Sequence, residues 1–269
     1  MPTVIHARLD LVVRLIDTTT GATVEEANTQ FYRDGVQVRP SYRGDGTWVF
    51  VNTGREDFLM RVQVFGYDPA EKKVVYADPE ERLPVCDMFL MPSENSRKGA
   101  SVLSVSGSLP SLEALDAVNL SRTVCGLHEY TEKKGVASIS LFPAYPGVPV
   151  ELEDIYYGLL SADGKSYERF EVLKQEGPQS VVLRAPLTGE HAANQRICRM
   201  IFGHVDAKEG RFSLKVRDDG KDLVHLVRFV ADGSTYFRKL DFHAETSVID
   251  LMEGAEKTGV LTGKEESDE

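Results

Sequence analysis

The sequence predicts an all-β protein built of two sandwich- or barrel-like domains with little helix. Two observations carry that expectation. Apolar residues alternate with polar ones in short runs, the period of a half-buried strand. Turn dipeptides separate many of these runs; in the last third they recur about every ten residues, the spacing of sandwiches and barrels. A third observation divides the chain. The polar, breaker-rich stretch Pro92 to Gly99 reads as a boundary. The expected organisation is a first sandwich over 1–92, a linker over 93–101, a second β-rich domain over 102–245 and a flexible acidic tail over 246–269.

The elements follow in order. Leu9, Leu11, Val13 and Leu15 form one wholly apolar face of an opening strand. Asp17 to Gly21 supplies its turn, because Asp and Thr side chains bond nearby backbone. Thr29 to Tyr32 is a short strand ended by Asp34-Gly35, a hairpin dipeptide. Gly44-Asp45-Gly46 turns into the strand that carries Trp48 and Phe50 on one face. Met60, Val62 and Val64 alternate with Arg61 and Gln63. Val74 to Ala77 and Asp87 to Met91 close this domain.

In the second domain, Val102 to Val105 opens the unit. Leu112, Leu115 and Val118 have helical spacing after Pro110-Ser111, so a short helix is expected over 111–118. Val136 to Phe142 is a strand that runs into a loop with Pro143, Pro146 and Pro149. Prolines so dense exclude a central strand. Tyr156 to Leu160, Tyr167 to Leu173 and Ser180 to Leu183 follow as strands. From Arg196 to Leu240, strands joined by tight turns at Asp218-Asp219-Gly220 and Asp232-Gly233 predict an antiparallel meander.

The segments LVVRLIDTTTGATVEEANTQFYRDG, GTWVFVN and FLMRVQVFGYDP together resemble the carboxypeptidase-regulatory-like domain, a transthyretin-like (Ig-like) β-sandwich. The carriers are a strand running into a Thr-Gly turn, the pair Ala22 and Val24, an Asp-Gly turn and the later Gly66-Tyr67. The family usually has Pro after the Thr-Gly turn, where this chain has Ala22-Thr23. The resemblance covers roughly the first third of the chain. It implies a fold and a spacer or interaction role, and no activity.

Composition narrows the function classes. Apolar residues make up 42% and charged residues 27%, enough for a packed core. With 31 basic against 42 acidic residues, the net charge of −11 disfavours nucleic acid and anionic lipid as partners. There is no basic segment followed by a continuous apolar run at the start, and no run long enough for a membrane helix. The expected location is the cytoplasm as synthesised, with release as part of a particle compatible with the same features. Cys86, Cys125 and Cys198 are too few and too odd in number for a disulfide framework.

Catalytic signatures are incomplete. Cys125 and His128 have the spacing of half a zinc site, but no second close pair accompanies them, so no metal or other cofactor is expected. His128-Glu129 is not followed by the second histidine of a metalloprotease helix. Val105-Ser106-Gly107-Ser108 is not a nucleophile elbow. Glu151, Glu153 and Asp154 cluster as a glycosidase pair would, and also as strand-end charges do. Asn119-Leu120-Ser121 is a formal glycosylation sequon. Phe142, Tyr145, Tyr156 and Tyr157, beside the proline loop, are the candidate binding surface. Three readings follow: a non-catalytic structural or interaction subunit, as in a phage-tail-like or contractile-injection particle, a carbohydrate-binding module, and a small hydrolase. Protein partners or self-association are expected for the first, a glycan for the second.

Overall fold

The computed structural model describes residues 8–25, 28–76, 83–93, 102–143, 150, 152–189, 191–206, 208–218, 223–243 and 247–258. The chain is all-β, and no helix occurs among the described residues. It divides into two compact units, Met1–Val102 and Leu103–Glu269.

Among the described residues the first unit holds eight strands. They are β1 (Leu9–Asp17), β2 (Thr29–Arg33), β3 (Val36–Val38), β4 (Ser41–Gly44), β5 (Thr47–Val51), β6 (Phe58–Val64), β7 (Ala70–Val74) and β8 (Val85–Leu90). One sheet has the order β4-β5-β1-β8, the other β3-β2-β6-β7. All pairs are antiparallel except β1 with β8. The alternating residues meet where expected: Leu11, Val13 and Leu15 from β1 share a buried core with Met60, Val62 and Val64 from β6 and with Phe31 from β2.

Local chemistry explains the turns. Asp34-Gly35 joins β2 to β3 with φ of 48° and 80°, the paired left-handed geometry that fits a two-residue hairpin. Asp17 is buried and accepts from the Thr19 amide at 2.8 Å and the Thr19 hydroxyl at 2.7 Å. Its second oxygen accepts from the Tyr67 hydroxyl at 2.9 Å. The Thr-Gly turn and the distant Gly66-Tyr67 pair are therefore one bonded unit. Arg14 and Asp87 add a fork-like pair at 2.6 and 2.9 Å across β1 and β8.

The second unit holds β9 (Val102–Ser108), which begins at the boundary, then β10 (Leu112–Lys133), β11 (Val136–Pro143), β12 (Tyr156–Leu160), β13 (Tyr167–Gln175) and β14 (Ser180–Leu183). It continues with β15 (Arg196–Phe202), β16 (His204–Asp206), β17 (Arg211–Arg217), β18 (Val224–Ala231), β19 (Ser234–Asp241) and β20 (Glu256–Lys257). A nine-stranded sheet runs β11-β14-β13-β12-β15-β10-β18-β19-β20, and β11 pairs also with β10. That extra pairing closes six strands, β10, β11, β14, β13, β12 and β15, into a barrel. Leu127, Ile139, Tyr157, Phe170, Val181 and Ile197 are among the residues that fill its interior.

The first half of β10 leaves the barrel and pairs with β18. There it packs, with β18 and β19, over a three-stranded sheet of order β16-β17-β9. This second core contains Leu115, Phe212, Leu214, Val227, Phe229 and Leu240. The hairpins β16–β17 and β18–β19 are antiparallel, but the meander expected from Arg196 to Leu240 does not form: β17 and β18 lie in different sheets, and β10 is inserted between β15 and β18 because its long strand pairs with both.

Two further expectations are corrected. Residues 111–118 form no helix; Leu112 to Val118 belong to β10. The helix-like spacing has two causes. A register shift between Leu112 and Ala114 breaks the alternation. Leu115 to Asn119 are all buried, because apolar contacts cover both faces of the strand. The tail does not begin at 246: Ile249 and Leu251 are buried in the sandwich core, and β20 pairs with β19. Residues 259–269 lie outside the described set.

Gly107 on β9 provides a packing test. An added Cβ there would collide with the Ile249 backbone carbonyl and approach the Phe212 ring to 2.7 Å. Backbone cannot swing aside as a side chain does. Gly107→Ala is expected to cost about 2 kcal/mol, read as a lowered denaturant midpoint.

Candidate functional site

The site grows from one row of side chains on the nine-stranded sheet. Asp116 on β10 lies directly opposite Phe202 on β15 and Arg228 on β18, and Arg228 lies opposite Phe237 on β19. Opposed residues project to the same face, so these four form a stripe across the sheet. Tyr167, at the start of β13, reaches over this stripe. Its hydroxyl donates to Asp116 and its ring meets Phe237 edge-on at 5.4 Å. Arg228 donates to both Asp116 oxygens, with Nε at 3.0 Å from Oδ1. A second guanidinium, Arg169, stands 3.7 Å from Asp116 Oδ2 and covers the Tyr156 ring at 5.4 Å.

Electrostatics fix the charge states. Asp116 is 2% exposed and Tyr167 5%. Burial, then the Asp116 carboxylate, pushes the Tyr167 hydroxyl well above its ordinary value, so it stays a proton donor. Burial alone would lower the Arg228 pKa; the hydrogen bonds and charge of Asp116 outweigh it and raise it. The carboxylate is thus held between a permanent cation and a neutral phenol.

A cleft of about 830 Å³ opens beside this network, lined in part by Tyr167, Glu168, His191, Arg228 and Phe237. Glu168 is the cleft's natural candidate for a base, and it is occupied. Its Oε1 accepts from the Thr188 amide and hydroxyl, and its Oε2 accepts from the Gly189 amide at 3.0 Å. This clasp holds the connection between β14 and β15 against β13. The His191 ring lies 4.9 Å from Tyr130, and its nitrogens are shielded, with no hydrogen-bond partner among the described residues. The arrangement holds strands together: both Asp116 and Glu168 are hydrogen-bonded within the protein.

The candidate binding set is dispersed. Phe142 is 40% exposed on β11, its ring 4.3 Å from His128. Tyr156 is half-buried between Arg169 and Phe202, and so joins the network instead of presenting a bare face. Tyr157 is fully buried in the barrel, stacked on Phe170 at 5.9 Å, with its oxygen accepting from the Asp154 amide at 2.9 Å. Adjacent strand residues point to opposite faces, so Tyr156 and Tyr157 serve different layers. Tyr145 lies outside the described residues.

Other candidates resolve similarly. Glu153 and Asp154 both turn to Arg199, at 3.9 and 3.2 Å, instead of flanking a substrate; Glu151 lies outside the described residues. All three thiols are buried. Burial pushes Cys125 up to about 12 and Cys198 up to about 11, away from the thiolate a nucleophile needs. Among the described residues no group of three metal-ligating side chains converges. The sequon's Asn119 is 8% exposed, and its side-chain oxygen accepts from the Ser121 amide. No helix among the described residues is long and apolar enough to cross a membrane.

His225 gives the second unit an acid limit. It is 2% exposed, its Nδ1 is 3.0 Å from the Leu223 carbonyl, and burial lowers its pKa from 6.5 to about 4. The unfolded chain therefore binds the proton first. Stability from this group is complete above pH 6.5 and falls as the pH drops toward 4. Asp154, raised by burial, works in the opposite sense below its folded pKa. Denaturation curves across this range are expected to show the loss, and His225→Phe is expected to flatten it.

Asp116, Tyr167 and Arg228 carry no sequence signal, since Asp116 is separated from the other two by 51 and 112 positions. No family model matches the chain, and no curated protein matches it. Among solved structures, Drosophila OTK extracellular domains 3–5 align over 87% of this chain and 95% of their own, at 7% identity. The TM-score of 0.14 is too low for that likeness to carry an argument.

Proposed function

We propose that this protein is a non-catalytic structural or interaction subunit of a larger assembly. One observation carries the reading: the two carboxylates that line the 830 Å³ cleft are already hydrogen-bonded within the protein, Asp163 to Ser161 and Lys165 and Glu168 to Thr188 and Gly189, and Asp116 behind it is bonded to Tyr167 and Arg228. A hydrolase needs a base and an acid left available to substrate. Here the same residue types brace a barrel against a sandwich. In this reading the first unit is the docking or spacer module, in keeping with its resemblance to transthyretin-like domains.

Solution mass by light scattering tests it, over roughly a hundredfold range of protein concentration and with the products of neighbouring genes added. A defined oligomer or a stable co-complex is the expected result. A strict monomer that joins none of those products would count against assembly.

A further inference from the structure

We infer that the edge segment Val36–Gly44 of the first unit is a docking strand for an extended acidic segment of a partner protein. The inference rests on the assembly reading above.

The topology makes the site. β3 is the edge of one sheet and β4 the edge of the other. Only Arg39 and Pro40 separate them in sequence. One continuous stretch therefore borders both sheets on the same side of the sandwich, and among the described residues no strand pairs with its outer side. Extended chains add to such edges through main-chain hydrogen bonds. The other side of the sandwich is managed differently: β7 lies against β8, and Lys72 donates to the Asp87 carbonyl at 3.1 Å.

Side chains select the occupant. Val36 is 68% exposed and Tyr42 43%. Arg39 and Arg43 are exposed and form no ion pair among the described residues. Val36 to Gly44 contains no acid; the nearest, Asp34 and Asp45, lie in the flanking turns. On a chain of net charge −11 this is a local excess of positive charge. Arginines on an edge repel the same edge of a second copy. They favour an incoming strand that carries carboxylates, and Pro40 limits where that strand can find backbone partners.

A built-in reporter makes the test direct. Trp48, the only tryptophan, lies 4.7 Å from the Tyr42 ring. The probe is the synthetic peptide Ser-Thr-Glu-Val-Thr-Val-Glu-Thr-Ser, whose glutamates are spaced like Arg39 and Arg43. Its control has both glutamates replaced by lysine. With the full chain, the acidic peptide is expected to change Trp48 emission saturably and to slow amide exchange over 36–44. The lysine peptide is expected to bind at least about tenfold more weakly, and added salt to weaken the acidic one. The double variant Arg39→Glu/Arg43→Glu should reverse the preference, and Arg39→Gln/Arg43→Gln should abolish it. No saturable change with the acidic peptide, equal binding of both peptides, or unchanged preference in folded variants would overturn the inference. The mass measurement keeps the two readings apart. An oligomer that ignores the peptide defeats the docking strand alone. A peptide-binding chain that stays monomeric and joins no neighbour defeats the assembly reading alone.

Discussion

Asp116→Ala is expected to destabilise the second unit by about 4 kcal/mol. The change does more than delete hydrogen bonds. It leaves the Arg228 guanidinium, whose side chain is only 20% exposed, beside an uncompensated hole, and it strands the Tyr167 hydroxyl in a site 5% exposed. Removing one partner of a buried pair costs more than removing both, because the survivor keeps its desolvation penalty. Asp116→Leu combined with Arg228→Met should therefore be more stable than Asp116→Ala. Tyr167→Phe should cost only about 1 kcal/mol, since Asp116 keeps both contacts to Arg228. Urea denaturation midpoints for the three variants measure this directly. Full stability in Asp116→Ala would show that the network is incidental.

Tyr157→Ala should cost a similar amount, about 4 kcal/mol, for a different reason. The ring is fully buried, stacked on Phe170 and enclosed by a closed barrel whose strands cannot collapse into the cavity. Tyr157→Phe removes only the acceptor of the Asp154 amide and should cost about 1 kcal/mol. The pair separates packing from ligand contact. Loss of any glycan binding in Tyr157→Ala would report an opened barrel, whereas Phe142→Ala and Tyr156→Ala remove side chains nearer the surface.

How much was legible follows from the range of each interaction. Strands β6 and β17 announce themselves by period-two alternation because each has one face on a core and one toward solvent. The Asp34-Gly35 and Asp232-Gly233 hairpins are local, and their dipeptides specify them. β10 does not show as a strand in the sequence because it is 22 residues long, changes partners along its length and is buried on both faces over Leu115 to Asn119. Barrel closure depends on β10 pairing with both β11 and β15, a long-range matter that no local pattern encodes. The same holds for the charge network. The dispersal of Tyr156 and Tyr157 was readable in principle, since neighbours on a strand face opposite ways.

If the carboxylates of the second unit's cleft serve only their own strands and the edge of the first unit takes the partner, assembly should protect the edge and not the cleft. Amide hydrogen exchange on the full chain, measured alone and within its oligomer or co-complex, tests both halves at once. Slowed exchange over Val36 to Gly44 on assembly is expected, with Ser161 to Glu168 at the cleft unchanged. Protection that instead falls on Ser161 to Glu168 and leaves Val36 to Gly44 as exposed as in the free chain would contradict it.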